Sequence, residues 1–189
     1  IKREVGDVDL QTKEIRFSDG AILPYEYLVL AAGSESEFFD IPGLKESSFT
    51  LKGIDDAFAI RSRIISLCHG LIESGKISEN SMQTPLHFVI GGAGFTGIEL
   101  AAEMVGFIQA LFKRHACRCM ENITIVEAGS QIMPGINKKL VALASKRLGH
   151  LGIEVKLGSP ITQIVANELV LKNGEKIEAD MVIWTGGIR

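Results

Sequence analysis

Apolar positions along the chain switch between a period of two and a period near 3.6, and one pattern occurs twice. Residues 15–33, IRFSDGAILPYEYLVLAAG, alternate apolar and polar, break at Asp19-Gly20, return, and end in an apolar run and a small-residue loop. Residues 169–187, LVLKNGEKIEADMVIWTGG, repeat this without a gap. Gly20 falls on Gly174, Leu23 on Ile177, Leu28-Val29 on Val182-Ile183, and Gly33 on Gly187. Each copy predicts a strand, a turn, a return strand and a buried apolar strand leading into a glycine loop.

Between the copies the pattern predicts alternating strands and helices. Leu86–Ile90 reads as a buried strand, followed by Ile98, Ala101, Ala102, Val105, Ile108 and Leu111-Phe112 at helical spacing. Residues 122–127 read as the next parallel strand, with Glu127 at its end. Residues 137–151 read as a helix with Leu140, Leu143, Ala144, Arg147, Leu148 and Leu151 inward, stopped by Gly152. A third strand at Ile153–Leu157, a meander over Thr162–Val165, Glu168–Leu171 and Lys176–Glu178, and a closing strand at Asp180–Thr185 complete the unit. Upstream, Asp55 to Ser74 fits an amphipathic helix with Ala57, Ile60, Ile64, Cys68, Leu71 and Ile72 inward. Lys76–Thr84 reads as a polar linker.

With the glycine loop Gly92-x-Gly94-x-x-Gly97 joining the Leu86–Ile90 strand to its helix, the expected fold class is α/β: a Rossmann-like dinucleotide-binding domain, three-layer ββα, with a parallel sheet, helices and an antiparallel β-meander. Residues 1–35 read as the tail of a first such module, 36–84 as a connector and 85–189 as a nearly complete second module. The chain opens on Ile1 and runs at once into strand-like sequence, which reads as a piece of a longer protein.

The chemistry sits at the first turn of the second module. Gly92-x-Gly94-x-x-Gly97 follows a strand and opens a helix. The first glycine permits the tight turn, the second lets a pyrophosphate approach the backbone, and the third lets helix and strand pack closely. Unpaired N–H groups and the positive end of the helix dipole then face the phosphates. Glu127 lies where a carboxylate would accept the adenosine ribose hydroxyls and repel a 2′-phosphate, favouring NADH over NADPH. It stands 30 positions after Gly97, against about 20 in the usual spacing. A long helix and the loop around Lys113–Glu121 would absorb the difference.

Composition narrows the partners. A net charge of −3 gives no electrostatic reason to bind nucleic acid. No apolar run approaches the roughly 18 residues that span a bilayer. Three cysteines, an odd number, suit a reducing compartment and a cytoplasmic location. His115, Cys117 and Cys119 form an H-x-C-x-C cluster without a second ligand group, so no metal site is expected.

The ordered series YEYLVLAAGSES, IPGL, TLKGIDDA, FVIGGAGFTGIELAAE, IVEAGSQIMPG and EADMVIWTGGIR resembles flavin-dependent pyridine-nucleotide oxidoreductases, and within them the type II NADH:quinone oxidoreductases. The resemblance implies FAD held by the first module of the parent, hydride transfer from NADH to that flavin, and electrons passed to a membrane quinone. It implies that Gly92, Gly94, Phe95, Thr96 and Gly97 cradle the NADH pyrophosphate, and that Glu127, beside Ala128, meets the adenosine ribose. Glu99 matches a family glutamate near the nicotinamide, although an acid in a first helical turn is favoured by the dipole alone. Thr185, Gly186 and Gly187 match a loop at the nicotinamide end, while Trp184 reads as core.

Ala31-Ala32-Gly33 departs from the family's Ala-Thr-Gly. The flavin loop and the quinone-facing, membrane-docking C-terminal region are not in this chain, so it is expected neither to hold FAD nor to turn over. The parent is expected to be peripheral on the inner face of a membrane, with a homodimer left open. A disulfide or peroxide reductase of the same fold, a sulfide:quinone oxidoreductase and a non-catalytic NADH-sensing module are the alternative readings.

Overall fold

The computed structural model describes residues 1–74, 86–114 and 121–188, and the backbone of 77–78 and 81–82. His115, Cys117, Cys119 and most of the expected linker at Lys76–Thr84 lie outside the described residues. The chain separates into two compact units, residues 1–33 and 34–189.

The first unit is a three-stranded antiparallel sheet, β1 (Val5–Asp9), β2 (Glu14–Phe17) and β3 (Ile22–Pro24), in that order. Its turns are built from local polar side chains. The Asp9 carboxylate accepts the N–H groups of Gln11 and Thr12, both at 2.9 Å. The Thr12 bond, then the Gln11 bond, holds that carboxyl below the usual aspartate range. At the next turn Gly20 takes φ +85° and the Asp19 carboxylate accepts the Ala21 N–H. The apolar run after β3, expected as a buried strand, is not one: among the described residues Leu28–Leu30 form no strand, and Val29 and Leu30 are 85% and 75% exposed.

The second unit begins with α1 (Leu44–Ser47), β4 (Ser48–Thr50) and α2 (Ile54–Glu73), then the short β5 (Ile77–Ser78) and β6 (Ser81–Met82), paired antiparallel. The Asp56 carboxylate caps α2 by accepting the N–H groups of Lys52 and Gly53. There follow β7 (Leu86–Gly91), α3 (Phe95–Arg114), β8 (Glu121–Val126), α4 (Lys138–His150) and β9 (Glu154–Lys156). The meander β10 (Ile161–Val165), β11 (Glu168–Leu171) and β12 (Lys176–Glu178) leads to β13 (Met181–Trp184).

Five of these strands pair in parallel in the order β4-β13-β7-β8-β9. Strand alternation assigns their side chains to two cores. Phe88, Ile90, Ile125 and Ile183 face a cluster with Ile60, Ile64 and Cys68 of α2 and Ala101, Met104 and Ile108 of α3. Val89, Val126, Val182 and Trp184 face the meander's Ile161, Ile164, Leu169, Leu171 and Ile177. Both faces of the sheet are covered, which is why its strands read as continuous apolar runs. The three layers are those expected from the pattern.

Two details differ from the sequence reading. On α4 the inward residues are Val141, Ala144, Leu148 and Leu151, whereas Leu140 and Leu143 are 55% and 64% exposed and Arg147 is exposed. The helix carries two apolar stripes, and its seat against Ile132, Ile153 and Val155 selects the one containing Leu148. And α3, by length and composition, is apolar enough to cross a bilayer. It nevertheless buries Gly97, Ala101, Met104, Val105, Ile108 and Phe112, the placing of a core helix.

Candidate functional site

The order β8-β7-β13 places three loops side by side at the carboxyl edge of the sheet: 92–97 after β7, 127–129 after β8 and 185–187 after β13. In an open α/β sheet this edge, where the strand order reverses, is where ligands bind.

The three glycines of the first loop do different work. Gly92 has φ +105°, and a Cβ there would lie 2.7 Å from the Gly186 Cα. A Cβ on Gly97 would strike the Gly92 carbonyl oxygen and come within 2.8 Å of the Thr185 hydroxyl. Gly94 instead faces open space, with nothing within 4 Å of a built Cβ. Two glycines thus serve packing, and the middle one keeps the approach to the α3 N-terminus clear. The loop is held on all sides. Gly92 N–H donates to Val126 O at 2.8 Å, and Met133 N–H to Ala93 O at 2.9 Å. The Thr185 hydroxyl donates to the carbonyls of Gly91 and Gly92.

Glu127 joins the loops. Its Oε2 accepts the Ala93 N–H and its Oε1 the Gly129 N–H, both at 2.7 Å. Its backbone N–H donates to Lys156 O on the next strand. A half-buried carboxylate thus stands at the end of β8 with one oxygen on the glycine loop. The 20 residues of α3 account for its long sequence separation from Gly97.

A crevice of about 350 Å³ lies among these loops, lined by Gly92, Glu127, Ala128 and Gly186 together with Phe39, Ile41, Val126, Ser159, Pro160, Ile161 and Trp184. Of the residues expected from sequence, Phe95 and Thr96 are exposed at the start of α3, and Thr185 is half-buried behind the loop. Glu99 is exposed and follows the first turn of α3, which starts at Phe95, rather than lying within it; it does not line this crevice. A larger open groove of about 680 Å³, between Ser34 and Lys52, has neither a glycine loop nor a long helix N-terminus on its walls.

Sequence reasoning missed the strap of residues 36–41. Glu37 N–H donates to Gly187 O, and Ser36 bridges Ile188. Trp184, 8% exposed, donates its indole N–H to Glu37 O at 2.7 Å. The ring of Phe39 stands edge-on to Trp184, centroids 6.4 Å apart. No sequence periodicity marks this segment, because irregular backbone held by distant partners has no repeat to read.

The family model for pyridine nucleotide-disulphide oxidoreductases matches residues 1–189. The chain belongs to that family. Among curated members it is 33% identical over 195 residues to a type II NADH:quinone oxidoreductase of Staphylococcus saprophyticus, covering all of this chain and 47% of the relative. It is 35% identical over 170 residues to an external alternative NAD(P)H-ubiquinone oxidoreductase, the mitochondrial B3 protein of Arabidopsis thaliana, covering 87% and 29%. The structure of NDH2 from Plasmodium falciparum in complex with NADH superposes with a TM-score of 0.74 at 24% identity, covering 100% and 40%. A ferredoxin reductase of Rhodopseudomonas palustris shares the fold, with a TM-score of 0.66 at 21% identity. The chain spans less than half the length of these relatives. Within the pyridine nucleotide-disulphide oxidoreductase fold, the glycine loop, Glu127 and the 185–187 loop sit on the edge of one sheet.

Proposed function

We propose that this chain is the NADH-binding portion of a flavin-dependent NADH:quinone oxidoreductase. The observation that carries the reading is the pairing of an unobstructed Gly94 with a Glu127 carboxylate fixed on the same loop. A pyrophosphate needs backbone N–H groups without a Cβ in the way, and an adenosine ribose needs an acceptor nearby. Glu127 and Gly92 line the crevice, and Gly94 follows Gly92 on the same loop.

In this reading the loop N–H groups and the dipole of α3 hold the pyrophosphate. Glu127, beside Ala128, takes the ribose hydroxyls, and its charge disfavours a 2′-phosphate. Thr185, Gly186 and Gly187 form the nicotinamide end, and Phe95, Thr96 and Glu99 border the entrance from α3. The dinucleotide supplies a hydride, and in the longer protein an FAD and a quinone would take up its electrons. The residues of this chain bind the dinucleotide, orient it and exclude water from one side of it. The quinone acceptor is taken by analogy with the type II NADH:quinone oxidoreductase relatives, and it would place the parent at a membrane surface. The domain limits proposed are 1–35 for the flavin-module remnant, 36–84 for the connector and 85–189 for the NADH domain.

Calorimetric titration of the chain with NADH and, separately, NADPH at moderate salt tests this. Binding of NADH with clearly weaker NADPH is expected. Equal affinity would remove Glu127 from the ribose site, and absence of binding by either would overturn the assignment of the crevice.

A further inference from the structure

Phe39 and Asp40 both have left-handed backbone, each at φ +52°. A bulky side chain at positive φ is a genuine outlier, and two in succession persist only where their surroundings over-determine them. The surroundings here are specific. The Glu37 side chain accepts the Phe39 N–H at 2.9 Å. The Glu37 backbone is tied to Gly187 on one side and to the Trp184 indole on the other. The Phe39 ring rests on Gly187 so closely that a Cβ there would lie 2.7 Å from it.

The strap nevertheless leaves Phe39 59% exposed, at the wall of the crevice that also contains Gly92, Glu127 and Gly186. The ring packs against Trp184 and Gly187 and leaves the rest of its surface to the crevice. Its neighbours Trp184 and Gly187 belong to β13 and its loop, so the ring lies at the end of the crevice away from β8 and Glu127.

We infer that Phe39 is a positioning residue for the nicotinamide half of a bound dinucleotide, offering a fixed aromatic face to its ring. This rests on the NADH reading of the crevice. The strained strap and the glycine at 187 are then parts of one device: Gly187 lets the ring lie close to β13, and the Glu37 carboxylate holds the backbone turned outward.

The test uses two ligands that share the adenosine and pyrophosphate but differ at the other end, NADH and ADP-ribose. Affinities come from calorimetry, and quenching of Trp184, the single tryptophan, provides a second readout for NADH. Phe39→Ala should weaken NADH roughly tenfold, the scale of one aromatic stacking contact, and leave ADP-ribose within about twofold. Phe39→Tyr should keep both affinities. Should Phe39→Ala disturb folding, judged by thermal melting, Phe39→Leu retains apolar bulk without the planar face and should show the same selective loss. Unchanged NADH affinity, or equal loss for both ligands, would overturn the inference while leaving the crevice assignment intact. Failure of the unmodified chain to bind either ligand would overturn both.

Discussion

The carboxylate of Glu127 accepts the backbone N–H of Ala93 at 2.7 Å across 34 positions of sequence. With its other oxygen on Gly129 N–H, Glu127 fixes the glycine loop and presents its charge to the crevice at once. Glu127→Gln keeps one oxygen acceptor but turns an amide N–H₂ toward a backbone donor. It should lower stability by about 1–3 kcal/mol, the cost of leaving a partly buried donor unpaired. Glu127→Arg should narrow the preference for NADH over NADPH. Chemical denaturation checks the first outcome, and parallel titrations check the second.

Gly94 and Gly97 separate binding from folding. A methyl at Gly94 meets nothing in the ligand-free chain but stands in the approach to the α3 N-terminus. Gly94→Ala should therefore leave the melting temperature nearly unchanged and weaken NADH tenfold or more, about 1.4 kcal/mol of lost approach. Gly97→Ala drives a methyl into the Gly92 carbonyl and should cost on the order of 1–3 kcal/mol of stability, as overpacked sites do. Melting curves and titrations of the pair decide it: equal effects in both assays would refute the division of labour.

The repeated apolar strand offers an internal control. Ile183 is fully buried and Val29, its counterpart, is 85% exposed. Ile183→Ala should lose about 2–5 kcal/mol, whereas Val29→Ala should stay within about 0.5 kcal/mol of the unmodified chain. Equilibrium unfolding in urea measures both.

The ammonium of Lys156 bridges Glu175 at 2.9 Å and Glu154 at 3.0 Å. The Glu175 bond, then the Glu154 bond, raises the lysine above its ordinary 10.5, and Lys156 in turn lowers Glu175 below its ordinary 4.5. Whatever stability the bridge contributes is present between these limits. It is lost as pH falls through the lowered glutamate value and as pH rises through the raised lysine value. Lys156→Met should flatten both flanks of the stability–pH profile, and the change should be small because the carboxylates are solvated. Thermal melts from pH 3 to 11 would show it.

Much of this protein is legible locally. The turns at Asp19-Gly20 and Asn173-Gly174 need only their own side chains. Both glycines take φ +85°, and each turn is closed by a side-chain oxygen accepting an N–H two residues on. The glycine loop is legible for the same reason: each glycine's duty follows from its distance from the strand and the helix. The acid at the end of β8 could be placed as well, because strand ends are short-range features. What α4 buries could not, since Leu140 and Leu148 are equally apolar and only the seat against β9 chooses between them. β4 and the strap at 36–41 also went unread. The strand is three residues long, and the strap's conformation is set by Gly187 and Trp184, about 150 positions away.

The repeat itself draws the boundary. Local composition makes Leu28-Val29 and Val182-Ile183 alike: apolar, extended in tendency and followed by a glycine. Long-range pairing is what separates them: Val182 and Ile183 form a strand, paired with β4 on one side and β7 on the other, while Leu28 and Val29 do not. A helix carries its hydrogen-bond partners within four residues, but a parallel strand must find all of its partners elsewhere in the chain. An apolar run can state its preference for a sheet. Whether neighbouring strands stand beside it is a property of the assembled fold.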